Sequence, residues 1–141
     1  MATARKAMGT ALKRGDGGGS EVFTTIGRMR NFTGPGLSQD VIDVTDLGNV
    51  TGYAEYLLGL KDGGEITCEL TWDPADAQHA AILATDFESQ VLRDFQMDWA
   101  NSGVTWSFVA LVSKFSPKGD PKSALTADLT LKITGAINFD A

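Results

Sequence analysis

A single cysteine, Cys68, and a single histidine, His79, occur among 141 residues. One cysteine excludes an intramolecular disulfide framework, and one of each leaves too few ligands at motif spacing for a structural zinc site. No stretch approaches the roughly 18–20 uninterrupted apolar residues of a membrane span. Arg5, Lys6, Lys13 and Arg14 break up the N-terminus where the apolar segment of a signal peptide would lie. Such a chain is expected in a reducing cytosol, or in something assembled there. Positive charge is also short: 12 Lys and Arg stand against 18 Asp and Glu, a net charge of −6. Those four N-terminal bases have only Asp16 beside them in residues 1–20, so the remainder is more acidic than the whole. A body of that sign is not a conventional nucleic-acid binder, because phosphate neutralisation supplies most of that affinity. Towards DNA it would be repulsive.

What is present, 43% hydrophobic residues in one modest length, suits one domain with one core. Residues 1–20 read as a flexible basic arm ending in the Gly/Ser-rich run Gly15-Asp16-Gly17-Gly18-Gly19-Ser20. Residues 21–141 read as a single β domain. Glu21–Ile26 and Val41–Val44 are short strand signals, separated by the turn Gly34-Pro35-Gly36. Glu65–Trp72 alternates cleanly, with Ile66, Cys68, Leu70 and Trp72 on one face and Glu65, Thr67, Glu69 and Thr71 on the other. Asp62-Gly63-Gly64 before it is hairpin-turn chemistry. A helix is predicted at 74–86, with Asp73 as N-cap, Pro74 at the first position, Asp76 in the first turn and a stripe of His79, Ile82, Leu83 and Asp86. Val91–Trp99 alternates except at Arg93. Thr105–Phe115 is apolar on both faces, which predicts a central strand covered on both sides. Leu125–Thr134 alternates again, with Leu125, Ala127, Leu129, Leu131 and Ile133 facing in. The expected class is a mostly antiparallel sheet or sandwich with one helix.

Residues 45–61 do not fit that scheme. The segment is too long for a tidy loop and too apolar for an exposed one: Leu47, Tyr53, Tyr56, Leu57, Leu58 and Leu60 fall within it. Such a composition is that of an interface core, so donation to a neighbouring subunit is the preferred reading over a further strand of the chain's own core. Catalytic chemistry is not visible. Asp73 and Asp76 are explained by helix capping, no Gly-x-Ser-x-Gly elbow accompanies His79, and Asp40, Asp43 and Asp46 are the only weak calcium candidates.

Several pieces in order resemble a known family. They are the basic N-terminal segment, Thr24-Thr25-Ile26-Gly27, Gly34-Pro35-Gly36, Ile42-Asp43-Val44-Thr45-Asp46-Leu47, Leu60-Lys61-Asp62-Gly63-Gly64-Glu65-Ile66, Asp73-Pro74 opening a helix with His79, Phe115-Ser116-Pro117, and Leu131-Lys132-Ile133-Thr134-Gly135. Together they are similar to the major tail tube proteins of long, non-contractile-tailed bacteriophages. The resemblance implies a β-sandwich or incomplete barrel with one flanking α-helix, and hexameric rings stacked into a hollow tube with sheets joined between subunits. It implies a structural virion protein rather than an enzyme, with no cofactor, metal or membrane partner. The extra C-terminal immunoglobulin-like domain of some relatives is not expected. About 24 strands spaced about 4.8 Å and tilted about 40° would enclose a bore of roughly 36 Å, which passes a DNA duplex of about 20 Å.

On that resemblance the subunit interface would draw on Arg5, Lys6, Lys13, Arg14, Leu47, Tyr53, Tyr56, Leu57 and Leu58, the basic arm meeting an acidic neighbouring ring. The bore should offer phosphate no fixed cations, and Glu65, Glu69, Asp94, Asp98 and Asp128 form the pool for its lining. Expected partners are other copies of the chain, a tape-measure protein, tail-tip and terminator proteins, and double-stranded DNA in transit without specific binding. The expected place is the virion tail, after assembly in the host cytoplasm. A tube subunit of a contractile tail or secretion-type injection system shares this fold. A small β-sandwich binding carbohydrate on Trp72, Trp99 or Trp106 is the rival from another class.

Overall fold

The computed structural model describes residues 4–17, 22–26, 29–100 and 102–139. Among the described residues nine strands form two sheets. The strands are β1 (Ala11–Gly15), β2 (Phe23–Thr25), β3 (Met29–Thr33), β4 (Ser38–Asp43), β5 (Tyr56–Asp62), β6 (Glu65–Thr71), β7 (Arg93–Asp98), β8 (Thr105–Lys118) and β9 (Thr126–Asn138). The large sheet has seven strands in the order β2-β1-β7-β8-β9-β6-β3, and the small one pairs β4 with β5. Every pairing is antiparallel.

Alternation decides which face of the large sheet is buried. Ile66, Cys68 and Leu70 on β6, Leu129, Leu131 and Ile133 on β9, Phe108, Ala110 and Val112 on β8, and Phe95 and Met97 on β7 all lie in the core with Leu12 of β1. A flat sheet would leave that face wet. This one curls until β3 nears the end of β7, where the Phe32 and Trp99 rings sit 5.7 Å apart. Register shifts in β8–β9 pairing, between Ser107 and Val109 and between Val112 and Lys114, mark irregularities of the kind that bend long strands. The sheet does not close into a barrel. As expected β8 is central, but Leu111 on its outer face is exposed, so within this chain it is covered on one side only.

The helix is shorter than predicted. An α-helical turn, α1 (Ala77–Ala81), passes into a wider π-helical segment, Ile82–Phe87. Asp76 is the N-cap, accepting from the N–H groups of Gln78 at 2.9 Å and His79 at 3.3 Å. Asp73, the expected cap, instead accepts from the Ala75 N–H at 3.0 Å, while the Asp76 N–H bonds back to the Asp73 carbonyl. Pro74 therefore sits inside a tight turn, where its fixed φ serves equally well, and the helix begins one turn later. His79 is buried, its Nδ1 accepting from the Asp73 N–H at 3.1 Å.

Two further expectations are corrected. Residues 11–15 of the supposed flexible arm are β1, ordered between β2 and β7, with Leu12 fully buried. Residues 1–3 and 18–20 of that arm lie outside the described residues. Asp62-Gly63-Gly64 is not a hairpin turn between β5 and β6, because it carries the chain from the small sheet to the large one. Gly64, at φ +73°, lies so close to the Gly36 backbone that no Cβ would fit, which joins this crossing to the Gly34-Pro35-Gly36 turn.

Candidate assembly surfaces

The small sheet is the part of the chain that its own core does not use. In β4–β5, Val41 opposes Leu58, Ile42 opposes Leu57 and Asp43 opposes Tyr56. Alternation then puts Val41, Tyr56 and Leu58 on one face and Ile42 and Leu57 on the other. All five are exposed, and so are Leu60, Leu47, Val50 and Tyr53. Residues 45–61 thus form half of a projecting hairpin rather than a loop: Tyr56, Leu57 and Leu58 are strand residues, while Leu47 and Tyr53 lie in its tip. Two strands alone are marginal in water, and apolar residues on both faces need cover from elsewhere. The signal for β5 lies in Tyr56–Leu60 but lacks alternation, because apolar residues occupy both faces of the strand.

The tip itself is tightly bonded. The Glu55 N–H donates to Thr45 Oγ1 at 2.7 Å, and the Val44 N–H to the Glu55 carbonyl at 2.9 Å. Asn49 Oδ1 accepts from both the N–H and the hydroxyl of Thr51, and Asn49 Nδ2 donates to the Tyr53 carbonyl. Asp43 and Asp46 spend their carboxylates on the N–H groups of Thr45 and Gly48. The Thr45 N–H, with a further bond from the Thr45 side chain, holds the Asp43 carboxyl below its ordinary pKa of 3.8. Among the described residues no three His, Cys, Asp or Glu converge as metal ligands would.

The second surface is the outer face of the large sheet. Register places Glu65 opposite Lys132 and Glu69 opposite Asp128, with Asp94 opposite Val109 and Asp98 opposite Thr105. All five residues of the expected lining pool therefore share the face turned away from the core. The face is not free of cations. Lys118 Nζ lies 3.3 Å from Asp128 and 3.5 Å from Glu69, Arg30 lies 3.6 Å from Glu69, Lys13 lies 3.6 Å from Asp98, and Lys132 lies 3.5 Å from Asp62. Asp128, through a hydrogen bond and its charge, and Glu69 raise the Lys118 pKa above 10.5. Cations are present, then, but each of these four is held against a carboxylate.

The basic arm is split by the structure. Arg14 is a core residue: its Nε and Nη2 donate to Asp86 at 2.6 and 2.8 Å, and Arg93 Nε donates to the same carboxylate at 2.9 Å. Asp86 is 2% exposed, Arg14 7% and Arg93 8%. This triad ties β1 and β7 to the end of the helix, and explains why Arg93 breaks the alternation of its strand. Arg14 cannot serve a neighbouring ring, and Lys13 already has Asp98. Arg5 and Lys6 remain exposed. The three tryptophans pack on other rings: Trp72 on Phe115 at 5.6 Å, Trp99 on Trp106 at 5.0 Å, and Trp106 on Phe139 at 4.8 Å.

A projecting apolar hairpin on a curled sheet with a charged outer face is a subunit shape. The profile of the family described as lambda phage tail tube protein matches residues 14–139. The chain belongs to that family. Among solved structures, this tail tube protein is similar to a chain in the tail of an empty gene transfer agent particle refined with C6 symmetry, at 21% identity and TM-score 0.79, covering 98% of this chain and 100% of that one. A chain of the native gene transfer agent virion gives 20% identity and TM-score 0.75 over 98% and 100% of the two chains. A chain from the sheath/tube terminator of an extracellular contractile injection system gives 16% and 0.71, over 99% of each. These likenesses show the fold. No curated protein matches the sequence.

Proposed function

We propose that copies of this chain form stacked hexameric rings, the hollow tail tube of a phage or phage-like virion, through which double-stranded DNA passes. The observation that carries the reading is the β4–β5 hairpin, whose apolar residues are exposed on both faces in a chain that belongs to a tube-forming family. Tyr53, Tyr56, Leu57, Leu58 and Leu47 are the interface residues of that hairpin, and Arg5 and Lys6 add an electrostatic contact that weakens with salt. The outer face of the large sheet, which carries Glu65, Glu69, Asp94, Asp98 and Asp128, lines the bore; Asp98 holds Lys13, and Glu69 and Asp128 hold Lys118, while Lys114, opposite Thr130, has no such ion pair among the described residues, so carboxylates outnumber the ammonium groups left to phosphate. Further partners are a tape-measure protein inside the tube during assembly in the host cytoplasm, and terminator and tip proteins at its ends.

Negative-stain microscopy of the concentrated protein tests the reading: hollow tubes of uniform width support it, and a monodisperse monomer at the highest attainable concentration refutes it. The bore assignment has its own test. Asp94→Lys with Asp98→Lys should leave tubes intact but slow DNA release from virions carrying the pair, since each change adds a fixed cation and one also strips Lys13 of its partner. Release at the normal rate would remove those positions from the lining.

A further inference from the structure

The chain passes from the large sheet to the β4–β5 hairpin and back through two short linkers, residues 34–37 before β4 and 63–64 after β5. Glycines there suggest a hinge, but the contacts are those of a clasp. A Cβ on Gly34, at φ +100°, would collide with the Glu65 carbonyl oxygen, and one on Gly64, at φ +73°, with the Gly36 carbonyl oxygen. The linkers therefore touch backbone to backbone at two points, an approach that only glycine permits. The second linker is also fastened to β9. The Ile133 N–H donates to the Gly64 carbonyl at 3.0 Å, the Gly64 N–H donates to Asp62 Oδ1 at 2.8 Å, and Lys132 Nζ lies 3.5 Å from that same oxygen. The Gly64 N–H, and then the charge of Lys132, hold the Asp62 carboxyl below its ordinary pKa of 3.8, so it stays an ionised acceptor. Beyond these contacts a groove of about 760 Å³ parts Leu37, Gln39 and Lys61 from Ala136, Ile137 and Phe139. The clasp, rather than side-chain packing, ties the hairpin to the sheet.

We infer that the two linkers fix, within a single chain, the angle at which the hairpin leaves the large sheet, and that Gly34, Gly64 and Asp62 are its positioning residues. A hinge needs a linker free to rotate. Here both linkers are short and anchored at each end, by the Thr33–Thr67 pair of the large sheet and by the Ser38–Asp62 pair of the hairpin, and neither can turn without pushing through the other. Gly36 separates the two readings, because a Cβ placed on it meets nothing within 4 Å and its φ is not left-handed. Glycines kept for flexibility would all matter alike, whereas the clasp needs Gly34 and Gly64 and tolerates a side chain at 36. An apolar hairpin already held at one angle has less freedom to lose when its faces are covered. Only that last consequence rests on the tube reading; the clasp itself is a property of the free chain.

The test measures the angle in the full-length monomer, at concentrations too low for assembly. Spin labels go on Tyr56→Cys, at the far end of β5, and Thr67→Cys, on β6, both exposed positions, in a Cys68→Ala background. Pulsed electron–electron resonance should give one narrow distance with the clasp intact and the same distance in Gly36→Ala. Gly64→Ala should broaden the distribution about twofold or more, because alanine holds neither that φ nor that approach. A broad distribution in the unaltered clasp overturns the inference, as does a Gly36→Ala change equal to that of Gly64→Ala. Should Gly64→Ala fail to fold, Asp62→Ala carries the test. It removes an exposed carboxylate, so the unfolding midpoint should stay in place while the distribution widens, and an unchanged distribution overturns the inference. Tube formation is read separately: a narrow distance in a protein that forms no tubes refutes the tube reading and leaves the clasp standing.

Discussion

The seven-stranded sheet and the β4–β5 hairpin use the same aliphatic residues to opposite ends. In β6 and β9 of the sheet, Ile66, Leu70, Leu129 and Leu131 occupy one face and charged or hydroxyl side chains the other, so folding alone satisfies both. In the hairpin, Val41 and Leu58 on one face and Ile42 and Leu57 on the other all remain exposed after folding. Both regions are antiparallel β-structure, so secondary structure does not separate them. What separates them is whether one chain can dry its apolar residues. The sheet holds the subunit's core, while under the proposed function the hairpin supplies its assembly contacts, and substitutions should divide along that line.

The largest effect belongs to the sheet. Asp86→Ala leaves the Arg14 and Arg93 guanidiniums buried without their shared carboxylate, and removing one partner of a buried pair costs about 3–5 kcal/mol. Urea unfolding should show that loss in the monomer, and assembly should fail because the subunit does. If a companion variant replacing all three charges by apolar residues of similar size regains most of the stability, the triad serves chiefly to fix β1 against the helix end.

Tyr53→Ala combined with Leu57→Ala tests the other side of the divide. Both side chains are exposed, so the unfolding free energy should move by no more than about 0.5 kcal/mol per site, yet sedimentation should find monomers where the wild type polymerises. A double variant that unfolds outright would place the hairpin within the subunit's own core and erase the distinction.

How far the sequence shows this division depends on what alternation reports. The clean patterns of Glu65–Trp72 and Leu125–Thr134 predicted β6 and most of β9, because each strand has one wet and one dry face. Leu125 is exposed and Thr126 buried, so the inward set begins at Ala127. Residues 45–61 stood out as unsatisfied, but Tyr56–Leu60 could not be read as a strand, since apolar residues on both of its sides leave no period-2 signal. β3, Met29–Thr33, gave no signal either: it is a short edge strand with a register shift between Met29 and Asn31. The basic residues misled for a different reason. Arg14 looks like a soluble arm residue until Asp86, 72 positions away, is folded against it, and Arg93 looks like a defect in its strand for the same reason. No local pattern announces a long-range ion triad. A basic residue within an apolar alternation was the available clue.

Cys68 gives a pH readout confined to the sheet. Burial, and then the negative charge of Asp128, push its thiol from 9.0 up to about 12. The folded chain keeps that proton where the unfolded chain loses it. The thiol's contribution to stability is therefore intact below pH 9 and lost as pH climbs towards and through about 12. Thermal unfolding should weaken from pH 9 upward in the wild type and less steeply in Cys68→Ala, and folded protein at pH 8 should resist alkylation. Rapid labelling of native protein at that pH would show that the core face of β6 opens.

The smallest effect tests the outer face. Glu69 shares Lys118 with Asp128 and also meets Arg30, all at 3.3–3.6 Å on a surface open to water. Exposed pairs of this kind contribute little, because solvent screens the attraction and long side chains lose freedom to make it. Glu69→Gln should leave the unfolding midpoint where it is, with Lys118 still held by Asp128. The charge of the face changes all the same: one carboxylate fewer stands against Arg30 and Lys118, and a polyanion should be retained slightly longer at low salt. A clear loss of stability would mean that this face is desolvated within the single chain. The carboxylates would then belong to the folding half of the molecule, and the bore would have to be sought on another surface.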